Sequence, residues 1–66
     1  MEKFRSNLKE FRLAAGLTQE ELAEKAGVAV RTISAMETEE GANPQIGTLI
    51  RLMNYLRISF EELYSR

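Results

Sequence analysis

Two short amphipathic helical patterns that meet at a single glycine place the tightest constraint on the fold of this chain. The segment TQEELAEKAG opens with Thr18 and carries Glu21 three residues later, a capping box that predicts the start of a helix. Gly27 predicts its end, because glycine readily adopts the left-handed conformation that closes a helix. A second helix is predicted from residues 30–38. With so short a connection the two helices must cross steeply.

The rest of the chain carries helical patterns of similar length and no strand pattern. Gly16 predicts the end of a first helix, and Ser59 with Glu62 forms a second capping box. Between helices three and four, the segment TEEGANPQ is predicted to be a loop because Gly41, Asn43 and Pro44 break the helical pattern. The positions expected to face the core are Phe4, Leu8, Phe11, Arg12 and Ala15 in helix one; Leu22, Ala23 and Ala26 in helix two; Ile46, Leu49, Ile50, Met53 and Leu56 in helix four, with Leu52 and Tyr55 beside them; and Phe60, Leu63 and Tyr64 in helix five. We therefore predict an all-α fold, a compact bundle of five short helices in one domain, residues 1–66.

The residue types exclude most catalytic and metal sites. The chain has no cysteine and no histidine, which removes thiol nucleophiles, imidazole bases, disulfides and the usual zinc sites. Its serines and glutamates have no base, metal ligand or phosphate-binding glycine loop beside them, so we expect no enzyme, no cofactor and no small-molecule substrate. Charges interrupt the apolar residues throughout, so no membrane span or signal peptide is expected and the protein is predicted to be cytoplasmic.

Charge alone does not indicate a nucleic-acid partner. Residues 1–36 carry six basic and five acidic side chains, a net charge of +1, and residues 37–66 carry three basic and five acidic side chains, a net charge of −2. Generic binding to nucleic acid depends on neutralisation of phosphates by lysine and arginine, which this balance does not favour. Recognition of nucleic acid would therefore have to depend on geometry.

The outer face of helix three has the geometry that a DNA groove requires. With Ile33 at the centre of the buried face and about 100° per residue, Met36 and Glu37 turn toward the core. The far side consists of Arg31, Ser34, Ala35 and Thr38. Apart from the arginine these side chains are short, so the helix backbone could approach closely a groove that admits one α-helix, where arginine commonly pairs with guanine. The alternative is an ordinary solvated face.

At this point the sequence resembles a known family, the phage repressor and Cro-like helix-turn-helix proteins, also called the xenobiotic-response-element family. The similar stretches are LKEFRLAAGLTQEELAEKAGV, RTISAME, NPQIGTLIRLMNYL and ISFEELY, which cover nearly the whole chain. The resemblance implies a lambda-repressor-like DNA-binding domain. Phage repressors of this type are an established example of a helix docked in the major groove of double-stranded DNA.

Carried over to this chain, the resemblance implies a set of DNA-binding residues. Gln19 would contact a phosphate together with the N-terminus of helix two, and Asn43 would approach the DNA backbone from the loop. The residues expected at base edges and nearby phosphates are Val30, Arg31, Thr32, Ser34, Ala35 and Thr38. For Gln19 and Asn43, the alternatives are an exposed helix-start residue and a simple turn residue.

Arg12 and Glu37 are opposite charges on the apolar faces of their own helices, which predicts that they pair. The family resemblance implies the same, a buried link between helices one and three. We therefore expect a structural ion pair. Such a pair adds little net stability, but deletion of one partner strands a buried charge at a cost of about 3–5 kcal/mol.

Several positions depart from the family pattern. Ala29 stands where Ser or Thr is usual and cannot cap helix three, and Val30 replaces a residue that is commonly Gln or Arg. Glu39 and Glu40 occupy the loop after helix three, where their charge should lower affinity for phosphates. Arg57 stands where helix four usually ends on Gly, so it is expected to hold a left-handed conformation at a cost of about 1 kcal/mol.

The sequence favours a sequence-specific transcriptional regulator, a repressor that binds a two-fold-related operator as a homodimer with helix three in the major groove. Helices four and five carry an apolar excess that could form part of a dimer surface or simply the core: Leu52, Tyr55, Ile58, Phe60, Leu63 and Tyr64. The alternative function is a protein-interaction module or antitoxin-like partner that keeps the fold with weakened DNA binding, as the acidic loop and the uncapped helix three suggest.

Overall fold

Five α-helices make up the described part of the chain. The computed structural model describes residues 6–38 and 43–64. The helices are α1 (Leu8–Ala14), α2 (Gln19–Ala26), α3 (Val30–Thr38), α4 (Ile46–Leu56) and α5 (Phe60–Leu63). The all-α prediction is confirmed, and no strand occurs in these two segments. The predictions for Phe4, Glu39, Glu40 and Gly41 concern residues outside them. Every described helix is too short or too polar to cross a membrane.

The boundaries of α2 follow directly from local chemistry. Thr18 Oγ1 accepts a hydrogen bond from the Glu21 backbone N–H at 3.1 Å, and a Glu21 carboxylate oxygen accepts one from the Thr18 N–H at 2.8 Å. The hydrogen bonds with Thr18 lower the pKa of Glu21. At the other end Gly27 has a φ of 75°, and the N–H groups of Gly27 and Val28 both donate to the Ala23 carbonyl. The predicted capping box and glycine stop are thus confirmed.

The end of α4 has the same backbone conformation as the end of α2, but an arginine takes the place of the glycine. Arg57 ends α4 in the left-handed conformation, with φ 57° and ψ 48°, as its position predicted. The N–H groups of Arg57 and Ile58 donate to the Met53 carbonyl, the pattern that closes α2. Ser59 and Glu62 then form the second capping box, which starts α5.

All five helices contribute to one core. Its buried apolar members are Leu8, Leu22, Ala23, Ile33, Met36, Leu49, Leu52 and Leu63. Helix α2 packs against α3 and α4, and α1 packs against α3. The segment before α1 is tied down as well, because Ser6 Oγ donates to the Met36 carbonyl and the Asn7 N–H donates to the Leu63 carbonyl, both at 2.7 Å. The α2–α3 pair is therefore packed against α4 through α2 and against α1 through α3.

The predicted buried faces of α1, α4 and α5 are partly wrong. Ala15 is exposed because it lies beyond the end of α1, and Phe11 is only half-buried. In α4 the fully buried residue is Leu52, whereas Ile46 and Ile50 are 69% and 46% exposed. Apolar residues cover a wide arc of α4, so the sequence allows several stripes, and packing against neighbouring helices selects one of them. The other predicted core residues that the structure exposes are Tyr55 and Phe60.

Candidate nucleic-acid interface

The turn between α2 and α3 provides no side-chain cap for the start of α3. Residues 27–29 form the connection, and the Ala29 carbonyl accepts from the N–H groups of Thr32 at 3.1 Å and Ile33 at 3.4 Å. The methyl side chain of Ala29 has no oxygen with which to cap the free N–H groups of α3. Ile33 and Met36 are buried against the core. Tertiary packing, rather than a cap, therefore holds the helix in place.

The predicted outer face of α3 is partly exposed. Val30, Arg31 and Thr38 are exposed, while Thr32, Ser34 and Ala35 are half-buried. Thr38 Oγ1 donates to the Ser34 carbonyl at 2.7 Å, so its hydroxyl hydrogen is used within the helix and its oxygen is left as an acceptor. Among the described residues, Arg31 has no hydrogen-bond or ion-pair partner. Its guanidinium is therefore available to an external acceptor.

Arg12 and Glu37 meet behind this face. Arg12 Nε donates to Glu37 Oε2 at 2.7 Å and Arg12 Nη2 donates to Glu37 Oε1 at 3.1 Å, while Arg12 Nη1 donates to the Leu17 carbonyl at 2.8 Å. The two side chains are 10% and 2% exposed. The hydrogen bond to Glu37 raises the pKa of Arg12. Burial alone would raise the pKa of Glu37, but the hydrogen bonds from Arg12 and Gln19 lower it below its ordinary value. The pair is therefore ionised and joins α1 to α3.

Gln19 belongs to this buried network as well as to the surface. It is the first residue of α2 and is half-buried, and its Nε2 donates to Glu37 Oε1 at 3.0 Å. The family resemblance implied a phosphate contact for Gln19. No local pattern could indicate its contact with Glu37, because 18 residues separate the two.

Arg51 is a further residue that sequence reasoning missed. Its Nη1 donates to the Gly27 carbonyl at 2.8 Å. This hydrogen bond links α4 to the turn between α2 and α3. The contact joins residues 24 apart, and the only sequence signal is that Arg51 is the one charged residue of α4. Asn43, the predicted backbone contact, is exposed and precedes α4 in the chain.

A helix-turn-helix family profile matches residues 8–63, which include all five helices. The chain belongs to the Cro/C1-type helix-turn-helix family. Helices α2 and α3 are its helix-turn-helix pair, with α3 as the second helix, the one that enters the major groove in DNA-binding proteins of this kind. Membership makes this helix-turn-helix protein a DNA-binding regulator of transcription. No curated protein sequence matches the chain.

Solved structures of helix-turn-helix proteins are similar to this chain in sequence and fold. SinR, a master regulator for biofilm formation solved in complex with DNA, is 38% identical with a TM-score of 0.71, over 79% of this chain and 82% of SinR. A complex of SinR with the SinI protein matches at 37% identity and a TM-score of 0.73, over 82% of this chain and 52% of that one. The restriction-modification controller protein C.Esp1396I matches at 36% identity and a TM-score of 0.65, over 80% of this chain and 68% of that one.

Proposed function

We propose that this protein is a transcriptional repressor that binds a two-fold-related operator as a homodimer, with α3 of each subunit in a major groove. The observation that carries the proposal is the exposure of Arg31 on the outer face of α3, where it has no partner among the described residues. We take residues 1–66 as a single DNA-binding domain that acts in the cytoplasm. The crystal structure of the similar protein SinR in complex with DNA supports DNA as the ligand.

Each residue of the proposed interface then has a role that follows from its chemistry. Arg31 carries two parallel donors and pairs with the two acceptors of a guanine, whereas Val30 contacts a thymine methyl. The short side chains of α3 allow its backbone to approach the bases: Thr32, Ser34, Ala35 and Thr38. Gln19 and the N-terminus of α2 bind one phosphate, and Asn43, which is exposed ahead of α4, binds another.

Three physical arguments support a homodimer. A single helix reads only a few base pairs, which is too little information and too little contact area for a specific site. A two-fold dimer places two α3 helices about one helical turn apart, so the operator shares the symmetry of the protein. The chain also lacks a strong positive charge, with a net charge of −1, so its affinity cannot depend on generic phosphate attraction.

The first prediction tests Arg31 as the base-reading residue. A preferred duplex is selected from a randomised pool with the wild-type protein, and binding is measured by fluorescence anisotropy on that duplex and on a scrambled one. We expect Arg31→Ala to cost about 1–3 kcal/mol per half-site on the preferred duplex only, because the lost contact is to a base. Gln19→Ala should weaken both duplexes alike, since its contact is to a phosphate.

Lys25→Ala provides the charge-matched control, because it removes one positive charge from an exposed position near the end of α2. We expect it to affect both duplexes equally and weakly. Equal losses on both duplexes for Arg31→Ala would make Arg31 a phosphate contact instead of a base reader. Failure of the selection to enrich any sequence would contradict the proposed function itself.

The second candidate function is a protein-interaction module with weakened DNA binding. The complex of the similar protein SinR with the SinI protein favours it, as do the uncapped start of α3 and the acidic side chains that follow this helix. This candidate predicts that Arg31→Ala leaves DNA binding unchanged and that the wild-type protein shows no preference between the two duplexes. The anisotropy measurements above therefore separate the two functions.

A further inference from the structure

The buried carboxylate of Glu37 contacts a side chain of the DNA-facing surface. Its Oε1 accepts from Gln19 Nε2 at 3.0 Å, while Arg12 donates to both carboxylate oxygens. The Glu37 side chain is only 2% exposed, whereas Gln19 is half-buried at the start of α2. One hydrogen bond thus connects the buried ion pair to Gln19, the partly exposed first residue of α2.

The chemistry of this contact determines how the amide of Gln19 is turned. An ionised carboxylate only accepts hydrogen bonds, so the amide nitrogen of Gln19, and not its oxygen, must face Glu37. That nitrogen carries two hydrogens in the plane of the amide group. Once one of them is bonded to Glu37, the second is held in the same amide plane at the start of α2. The first turn of a helix also has N–H groups without backbone partners, which favour an anion at this end.

We propose that Glu37 is a positioning residue for DNA binding: it holds the amide of Gln19 so that the second hydrogen donates to a DNA phosphate at the N-terminus of α2. The inference rests on the proposed function and specifies how its phosphate contact is prepared. A glutamine side chain that is free in the unbound protein loses conformational entropy when it binds a phosphate. Because Glu37 already holds Gln19, that entropy is lost on folding and not on binding. The buried ion pair thereby acquires a role in binding as well as in the core.

The first measurement needs no substitution and uses the free wild-type protein. The sequence contains two glutamines, Gln19 and Gln45. Gln45 is exposed and its side chain does not cap α4, so it is the matched control. We expect the side-chain amide of Gln19 to have an NMR order parameter near that of rigid backbone, about 0.8, and that of Gln45 to fall below about 0.6. Equal mobility of the two amides would overturn the proposal.

The second measurement is a cycle of variants on DNA affinity. Glu37→Gln alone would strand the charge of Arg12, so we replace the pair together by Arg12→Met with Glu37→Met, which removes the acceptor without leaving a buried charge. Gln19→Met removes the amide and keeps the length of the side chain. Each change is measured alone and combined, on the duplex selected with the wild-type protein, after circular dichroism has established that the variants are folded.

We expect Gln19→Met to weaken binding roughly tenfold per half-site in the wild-type background, as the loss of a hydrogen bond to a charged group does. In the Arg12→Met, Glu37→Met background it should weaken binding by less than about twofold, because the amide is no longer held. A purely structural ion pair would leave the two losses equal, which would overturn the proposal.

The remaining outcomes separate this inference from the proposed function. If the wild-type protein binds the selected duplex but Gln19→Met changes nothing, DNA binding stands and the inference is overturned. If the wild-type protein binds no duplex, the proposed function fails and the inference fails with it. If the methionine pair does not fold, the order parameters of Gln19 and Gln45 in the wild-type protein decide alone.

Discussion

Glu37 contributes to stability only while it is ionised, because its two bonding partners donate hydrogens to a charged carboxylate. Arg12 and Gln19 together hold the pKa of Glu37 below its ordinary value against the opposing effect of burial. A carboxyl whose pKa is lower in the folded than in the unfolded state stabilises the fold at pH values above the unfolded pKa, and this stabilisation is lost as the pH falls through the folded pKa.

Glu37→Ala should therefore lower the free energy of unfolding at pH 7 by about 3–5 kcal/mol, because it leaves the guanidinium of Arg12 buried without a counter-ion. Glu24→Ala, which removes an exposed glutamate from α2, should change it by less than about 0.5 kcal/mol. Urea melts in the presence of a stabilising osmolyte measure both values, since the osmolyte provides a folded baseline for the weaker variant. Equal losses would show that Glu37 is exposed in solution.

The same comparison has a dependence on pH with a definite sign. Below the unfolded carboxyl pKa of about 4.3 the wild-type protein progressively loses the contribution of Glu37, whereas the alanine variant has none to lose. The difference between the two melts should consequently shrink as the pH falls. A difference that stays constant down to pH 3 would mean that the carboxylate contributes by packing and not by charge.

At the scale of the helices, α2 and α4 end in the same left-handed conformation but on different residues. Gly27 closes α2 at φ 75° and Arg57 closes α4 at φ 57°. The left-handed conformation costs a residue with a Cβ roughly 1–2 kcal/mol of conformational free energy, whereas it costs glycine almost nothing. The end of α4 therefore stores backbone strain that the end of α2 does not.

Arg57→Gly should raise the free energy of unfolding by about 1 kcal/mol, which corresponds to roughly 4–8 °C in Tm for a domain of this size. Gly27→Ala is the converse change at an equivalent position and should destabilise by a similar amount, since its Cβ would enter the strained region and lie 3.6 Å from Arg51 Nη1. Calorimetry of both variants measures Tm, which should rise for Arg57→Gly and fall for Gly27→Ala. A loss of stability for Arg57→Gly would show that the arginine side chain makes a contact worth more than the strain.

At the scale of the whole molecule, large apolar side chains remain on the surface after the core is complete. Six of them are exposed among the described residues: Leu13, Val30, Ile46, Ile50, Tyr55 and Phe60. Phe60 packs its ring against that of Tyr64, with the ring centroids 5.1 Å apart. The surplus predicted in helices four and five is thus smaller than the sequence suggested, because Leu52 and Leu63 are fully buried.

This remaining apolar surface is compatible with the proposed homodimer, and the assembly is directly measurable. We expect the protein to be dimeric at micromolar concentration, or to become dimeric on the selected duplex. Sedimentation velocity on the free protein and on the complex with that duplex measures the stoichiometry. One chain per duplex in a saturated complex, together with a monomer in free solution, would contradict the two-fold operator model.

The helix ends and caps were predictable from the sequence because each depends on residues within a few positions of one another. Thr18 and Glu21 form a capping box wherever a helix starts between them, and Gly27 stops that helix through its own backbone freedom. The outward direction of Arg31 follows in the same way from the pitch of α3 once Ile33 is taken as buried. The all-α fold and the exposed position of Arg31 were therefore predictable from local chemistry.

Tertiary structure alone decided which apolar residues of α4 are buried and which distant polar groups meet. Helix α4 offers several apolar stripes of similar strength, and its neighbours cover Leu52 while they leave Ile46 exposed. The contact of Gln19 with Glu37 spans 18 residues, and the contact of Arg51 with the Gly27 carbonyl spans 24. No periodicity within one helix contains such information, because these contacts depend on the angles and distances between helices, which only the packed core determines.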